Sequence, residues 1–233
     1  MKTVLVAFAW FSCGSCLADQ QPLQTRVSLQ FIEVAHPVLT EMLAGKETSG
    51  QALHDKALAL SNEGKAKILE TCMVVCRSGQ KATLETIREE IFPTEYQPPA
   101  LPSHVSPTVR LASDPPVSPF FRSPTAFDTR NTGVTFEVES TVSLNGIDLR
   151  LSPQIVTPLP LQTWMEHVDT WGDGSIRMPI YESWSITTSI NVKSGRFELV
   201  SAITPKPSAP VPAVSRRILV FVRADNLPVP QPP

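Results

Sequence analysis

The sequence predicts an α+β protein that is mainly β and antiparallel, and three observations carry that prediction. Proline is the outlier of the composition, 23 of 233 residues, and an interior proline removes a backbone donor and clashes with the preceding turn, which excludes long helical bundles and coiled coils. Apolar residues recur with period two in most segments that carry them, and with helical spacing in only one clear stretch. Several of these alternating segments are separated by Gly-containing turns of the kind that join antiparallel strands. Hydrophobic residues make up 42% of the chain, enough for a true core, and the 20 Lys and Arg against 22 Asp and Glu leave no basic field for nucleic acid or an anionic membrane.

Residues 1–18 read as a secretory signal: Lys2, then an apolar stretch from Thr3 to Phe11, then a Cys16-Leu17-Ala18 cleavage site before Asp19. The stretch is too short to span a bilayer. The alternative is acylation of Cys16 after Cys13-Gly14-Ser15, which would anchor the chain to a membrane instead. No later apolar run approaches the ~20 residues of a membrane helix, so any membrane entry must use strands.

Residues 19–64 predict a small α/β unit. Val27, Leu29 and Phe31 alternate with Ser28, Gln30 and Ile32 as a first strand up to Val34, and a short helix follows Pro37. In the second helix Ser49 caps the start, Leu53, Ala57 and Leu60 form the buried stripe, and Gly64 stops it. From Lys67 the period becomes two. Ile68–Cys76 and Ala82–Phe92 flank Arg77-Ser78-Gly79-Gln80, which reads as a hairpin with Gly79 at the positive φ. Cys72 and Cys76, four residues apart on a strand, stand about 13 Å apart, beyond disulfide reach, and are expected as buried free thiols.

Residues 97–130 are rich in proline and read as an extended connector, because so many missing N–H groups cannot join a sheet interior. Val134, Phe136 and Val138 then face one way, and Asn145-Gly146 turns the chain into Ile147, Leu149 and Leu151. Residues 159–177 are irregular. Trp184, Ile186, Ile190 and Val192 alternate with Ser, Thr and Asn, a pattern that a membrane barrel strand and a soluble sandwich strand share, with the sandwich preferred. Lys193-Ser194-Gly195 turns into Phe197, Leu199 and Ile203. After a second proline run from Pro205 to Pro212, Arg217–Ala224 is apolar on both sides and is expected at a sheet centre. A β domain of residues 65–225 and a disordered tail of 226–233 complete the expected organisation.

Chemistry has little to stand on. His36, His54, His104 and His167 form no zinc pair, and HExxH, CxxC, GxSxG and phosphate-loop motifs are absent. His167-Val168-Asp169 with Asp173 lacks further donors and is expected to be ordinary surface polarity. No catalytic, cofactor-binding or metal-binding residue is therefore predicted, and the chain is not expected to be an enzyme.

Four segments in order carry a resemblance. ILETCMVVCRSGQKATLETIREEIFPTEYQPP (Ile68 to Pro99), TAFDTRNTGVTFEVESTVSLNGIDLRLSPQIV (Thr125 to Val156), WSITTSINVKSGRFELVSAIT (Trp184 to Thr204) and RRILVFVRA (Arg216 to Ala224) together resemble the β domain of bacterial secretins. These are the ring proteins of type II and type III secretion and type IV pilus systems. The resemblance covers roughly 130 residues and implies structural roles for Gly79, Pro93, Tyr96, Gly133, Asn145, Gly146 and Gly195. The chain departs from the family in three respects. Val200-Ser201-Ala202 replaces a glycine pair, the gate motif "V-P-x-L-G-x-I-P-x-x-G-x-L-F" is missing, and most of the ring domains that precede the barrel are absent. The resemblance thus implies a shortened relative in the periplasm or outer membrane that self-associates or docks on a longer secretin. With about seven strands per chain against the sixteen or more of a water-filled barrel, any pore must be built from many copies. The other expectation is a soluble periplasmic β-sandwich that binds or scaffolds without forming a pore.

Overall fold

The structure, a computed structural model, describes residues 23–45, 49–97, 123–169, 172–173, 175–205 and 216–227. The stretch expected as a signal, most of the expected proline-rich connector, the second proline run beyond Pro205 and the chain after Leu227 lie outside the described residues.

Strand β1 (Gln24–Ala35) leads into helices α1 (His36–Ala44) and α2 (Gly50–Asn62), then β2 (Ala66–Arg77) and β3 (Gln80–Gln97). The chain resumes with β4 (Ser123–Ser143) and β5 (Gly146–Pro158), followed by four short strands: β6 (Gln162–Met165), β7 (Val168–Asp169), β8 (Gly172–Asp173) and β9 (Ile176–Met178). Strands β10 (Tyr181–Ser185), β11 (Thr188–Val192), β12 (Phe197–Ile203) and β13 (Arg216–Leu227) follow. One sheet has the order β12-β13-β1-β2. The second has the order β10-β5-β4-β3, with β11 also on β5, and all pairings are antiparallel. The mainly-β, antiparallel reading of the sequence holds.

Alternation along β1 explains the layers. Val27, Leu29 and Phe31 point at the second sheet, and with Ile218, Val220 and Val222 of β13 they meet Val134, Phe136, Val138, Ile147, Leu149 and Val192 in the main core. Ile32 and Val34 point the other way and pack with Leu219 and Phe221 against Leu39, Met42, Leu53 and Ala57 of the helices. β13 is therefore buried on both faces, as its uninterrupted apolar run implies. At roughly 1.5–3 kcal/mol per fully buried large side chain, these two cores supply the main driving force for folding. The apolar side of Trp184–Val192 belongs to the main core, which decides its alternation in favour of a sandwich. Its two halves are separate strands, β10 and β11, on the same neighbour β5.

Several boundaries differ from the sequence reading. The segment 19–64 does not stand apart: β1 lies between β2 and β13 along its whole length, and its helices share a core with β13. Pairing between residues some 190 positions apart leaves no local trace. β3 runs on through Pro93 to Gln97, and β4 begins at Ser123, so both ends of the expected connector are strand. Pro93 is tolerated there because β3 is a sheet edge, and the ladder shifts register beside it. Asn226 and Leu227, placed in the tail, continue β13 by pairing with Thr25 and Gln24.

Candidate functional site

Two turns expected as hairpins are instead corners between the sheets. β2 belongs to the first sheet and β3 to the second, and the Ser78-Gly79 turn bonds to both: Ser78 N donates to Leu23 O (2.8 Å) and Gly79 N to Ser140 O (2.6 Å). The Ser78 hydroxyl accepts from Val142 N at 3.0 Å. Gly79 has φ +78°, a left-handed conformation that disfavours a Cβ. Gly195 (φ +83°) likewise carries the chain from β11 in the second sheet to β12 in the first, its N–H donating to Ala224 O at 2.9 Å. The strand pattern at such a turn matches a hairpin, and only the partners of each strand distinguish the two cases. Asn145-Gly146 is a true hairpin between β4 and β5, packed so that a Cβ on Gly146 would come within 2.7 Å of Val192 O.

Both corners and this hairpin close one end of the sandwich. Beside them the Thr25 and Ser140 hydroxyls and the Cys76 thiol form a buried hydrogen-bonded cluster across the two sheets, with Cys76 Sγ 3.3 Å from Thr25 Oγ1 and 3.1 Å from Ser140 Oγ. Cys72 and Cys76 are both free and buried, as expected. Burial pushes the Cys72 thiol up to about 11, with the Glu70 carboxylate adding to the effect.

The opposite end is open, and two β-ribbons leave it. Beyond Gly133 strand β4 loses β5 and continues paired only with β3, from Arg88↔Thr132 to Gln97↔Ser123. Gly133 sits at this branch with φ +120°, and a Cβ there would stand 2.1 Å from Thr86 O, so only glycine allows the two strands to part from the sheet in this way. Pro93 pairs with Phe127 and Tyr96 with Pro124 farther out, and Phe92 meets Tyr181 at the base with ring centroids 6.0 Å apart. The second ribbon, β6–β9 with β7–β8, occupies the stretch that alternation alone left irregular. Its strands of two to four residues are too short to show a period. Both ribbons expose large apolar side chains: Ile91 is 66% and Phe127 59% accessible on the first, Trp164 66% and Val168 68% on the second.

The sides of the sandwich are its strand edges. One side presents β2 and β3, and the other β12 with β10 and β11. β12 is partly capped, because Gln51 of α2 accepts a hydrogen bond from Phe197 N at 2.9 Å and Gly50 lets the helix approach so closely that a Cβ would lie 2.5 Å from Glu198 Cα. β3 has no partner on its outer edge among the described residues over its 18 positions. Such an edge is a template for strand addition unless something blunts it.

The outward face of the second sheet is largely polar, with ion pairs Lys81–Glu137 (2.7 Å) and Arg150–Glu139 (3.9 Å) and an Asn191–Asp148 hydrogen bond (2.7 Å), and Ile87 of β3 is exposed on it. Among the described residues no group of three or more His, Cys, Asp or Glu is placed to hold a metal ion, and no helix is long and apolar enough to cross a membrane. The surface that the sequence reading missed is the second ribbon together with the open end that both ribbons leave.

No family model matches the chain, and no curated protein matches it. Among solved structures, the InvG secretin-domain β-barrel of the Salmonella SPI-1 injectisome is 11% identical, with 91% of this chain and 65% of that one covered and a TM-score of 0.46. The type II secretion system secretin GspD of E. coli K12 gives 11% identity, 90% and 51% coverage and a TM-score of 0.42. The V. cholerae type IV competence pilus secretin PilQ gives 10%, 90%, 62% and 0.41. The chain thus spans about half to two thirds of the length of these structures, and at such identities and TM-scores the likeness assigns neither a family nor an activity.

Proposed function

We propose that this chain is an exported, non-enzymatic structural component of the bacterial cell envelope that works by side-to-side strand addition. Its partner is another copy of itself or a longer secretin, and the assembly contributes to, or docks on, an outer-membrane secretion or pilus channel. The observation that carries this reading is the 18-residue outer edge of β3, unpaired among the described residues and carrying exposed Ile87 and Ile91 within the strand. The β2–β3 side and the β12–β11 side are different surfaces, so contact between them is heterologous and generates rings or filaments. The sequence resemblance of four ordered segments supplies the kind of assembly, and the signal-like start supplies the compartment.

The test is to express the full chain with its own leader, alone and beside a longer secretin, and to run envelope fractions unheated on SDS gels. Heat-resistant multimers, weakened by Ile91→Lys on the exposed ribbon, are the expected result. A chain that sediments as a monomer in buffer, in detergent and with lipid, and that co-purifies with no secretin, overturns the proposal. The second reading is a soluble periplasmic sandwich that scaffolds or binds without a pore. It is favoured by the burial of the Trp184–Val192 apolar face inside the sandwich rather than on the outside.

A further inference from the structure

The side of the sandwich opposite β3 offers one uninterrupted strand, β12. In the second sheet that side is broken: β10 and β11 are separate strands of five residues each on the same neighbour β5, with Ile186 N donating to Pro153 O at 3.1 Å between them. In the first sheet β12 runs over seven residues, and a strand arriving from another molecule would pair with its outward N–H and C=O groups.

Phe197 is the first residue of β12, and the first turn of α2 covers both of its outward groups. In an antiparallel pair a residue's N–H and C=O point to the same side. The Phe197 N–H points away from β13 to Gln51 Oε1 at 2.9 Å, and its carbonyl oxygen lies 2.7 Å from the position that a Cβ on Gly50 would take. Glycine is a poor helix former, and here its missing Cβ is what admits the contact. This turn is lightly held. Ser49 Oγ accepts from Ala52 N at 3.3 Å, and Gln51 Nε2 has a second partner in Asp55 Oδ1 at 2.8 Å. Beyond it Leu53 and Ala57 are buried in the second core and His54 stacks on Phe197. An incoming strand needs only to take the Phe197 N–H from Gln51 and displace Gly50, while the buried face of α2 stays in place.

We infer, resting on the strand-addition reading above, that the first turn of α2 is an autoinhibitory guard on the β12 edge. The β3 strand of a second copy adds to β12 only after Gly50 and Gln51 move off Phe197. Each protomer therefore has a ready side, β2–β3, and a guarded side, β12, and growth by strand addition is controlled at the guarded one.

The test is amide hydrogen exchange by NMR together with fluorescence anisotropy of a labelled peptide of Gln80–Ile91, the first two thirds of β3, titrated with the full chain. Gln51→Ala removes the acceptor, and Gly50→Ala drives a Cβ into β12. Each should speed exchange of the Phe197 amide and tighten peptide binding by about threefold to tenfold, the net worth of one hydrogen bond. Lys56→Ala on the exposed face of α2 leaves both readings unchanged. Circular dichroism confirms that each variant is folded, and Gln51→Ala is the reserve variant should Gly50→Ala unfold. Equal peptide affinity for wild type and Gln51→Ala, or no saturable binding by any of these chains, overturns the inference. Sedimentation of the same chains separates it from the assembly reading. Tighter peptide binding in chains that stay monomeric keeps the guard and removes the assembly, and multimers equally stable in wild type and Gln51→Ala do the reverse.

Discussion

Replacing Gly133 by alanine tests whether the ribbon's departure from the sheet rests on one backbone position. The backbone there has φ +120°, a conformation that costs an L-residue about 1–3 kcal/mol. The new Cβ would also lie 2.1 Å from Thr86 O and 3.1 Å from Ile87 Cα, both backbone atoms that no side-chain rotation relieves. Forcing them apart adds about 1–3 kcal/mol, as overpacking of a filled site does. The total of about 2–6 kcal/mol is a large part of the ~5–15 kcal/mol by which domains are stable. Gly64→Ala is the matched control. It also sits at positive φ, +72°, but no atom lies within 4 Å of its Cβ position, so it should cost only about 1–2 kcal/mol. Urea unfolding followed by circular dichroism reads the difference. With a slope of about 2 kcal/mol per molar, Gly133→Ala should lower the midpoint by about 1–3 M and Gly64→Ala by under about 1 M. Equal midpoint losses for the two variants would refute the claim that strand proximity at the branch, rather than glycine conformation alone, fixes residue 133.

Two further perturbations read the cores. His54 lies on the buried face of α2, stacked on Phe197 at 3.6 Å with Nε2 2.7 Å from Gln30 Oε1, and burial lowers its pKa against the opposing pull of Asp55. A folded-state pKa below the ordinary 6.5 means the unfolded chain binds the proton first. Stability is therefore full above that value and falls as pH drops below it, and a His54→Phe variant should lose this acid-side slope in urea midpoints compared between pH 7.5 and pH 5. The Cys72 thiol, raised to about 11 by burial, should resist iodoacetamide at pH 8 in the folded chain and react once urea unfolds it, as mass spectrometry of the labelled peptide would show.

Much of the local structure was legible because it rests on short-range physics. The period-two runs of β1, β4 and β5, the Ser49 cap whose oxygen accepts from Ala52 N at 3.3 Å, the Asn145-Gly146 hairpin and the two-sided apolar run of β13 each follow from residues within a dozen positions. The free, buried state of Cys72 and Cys76 followed equally from strand spacing. Pro93 illustrates the limit. The residue marks an edge position or a strand end with equal force, and the sequence reading chose the end, while β3 continues to Gln97.

Which strands are neighbours was decided by the tertiary structure alone. A positive-φ glycine at residue 79 or 195 reverses the chain whether the next strand pairs with the last one or crosses to the facing sheet, and only the burial of both inner faces selects the crossing. The same holds for β1, which finds β13 from the far end of the chain because the two offer complementary apolar faces, and for the open end, where Glu182 and Trp184 meet Leu69 across a space that no local pattern encodes. The sequence alone determined periodicity, turns and caps, since these depend on the conformational preferences of adjacent residues. Sheet order, the ribbons' exit at Gly133 and the space at the open end came only with the packed whole, because they depend on which surfaces exclude water from one another.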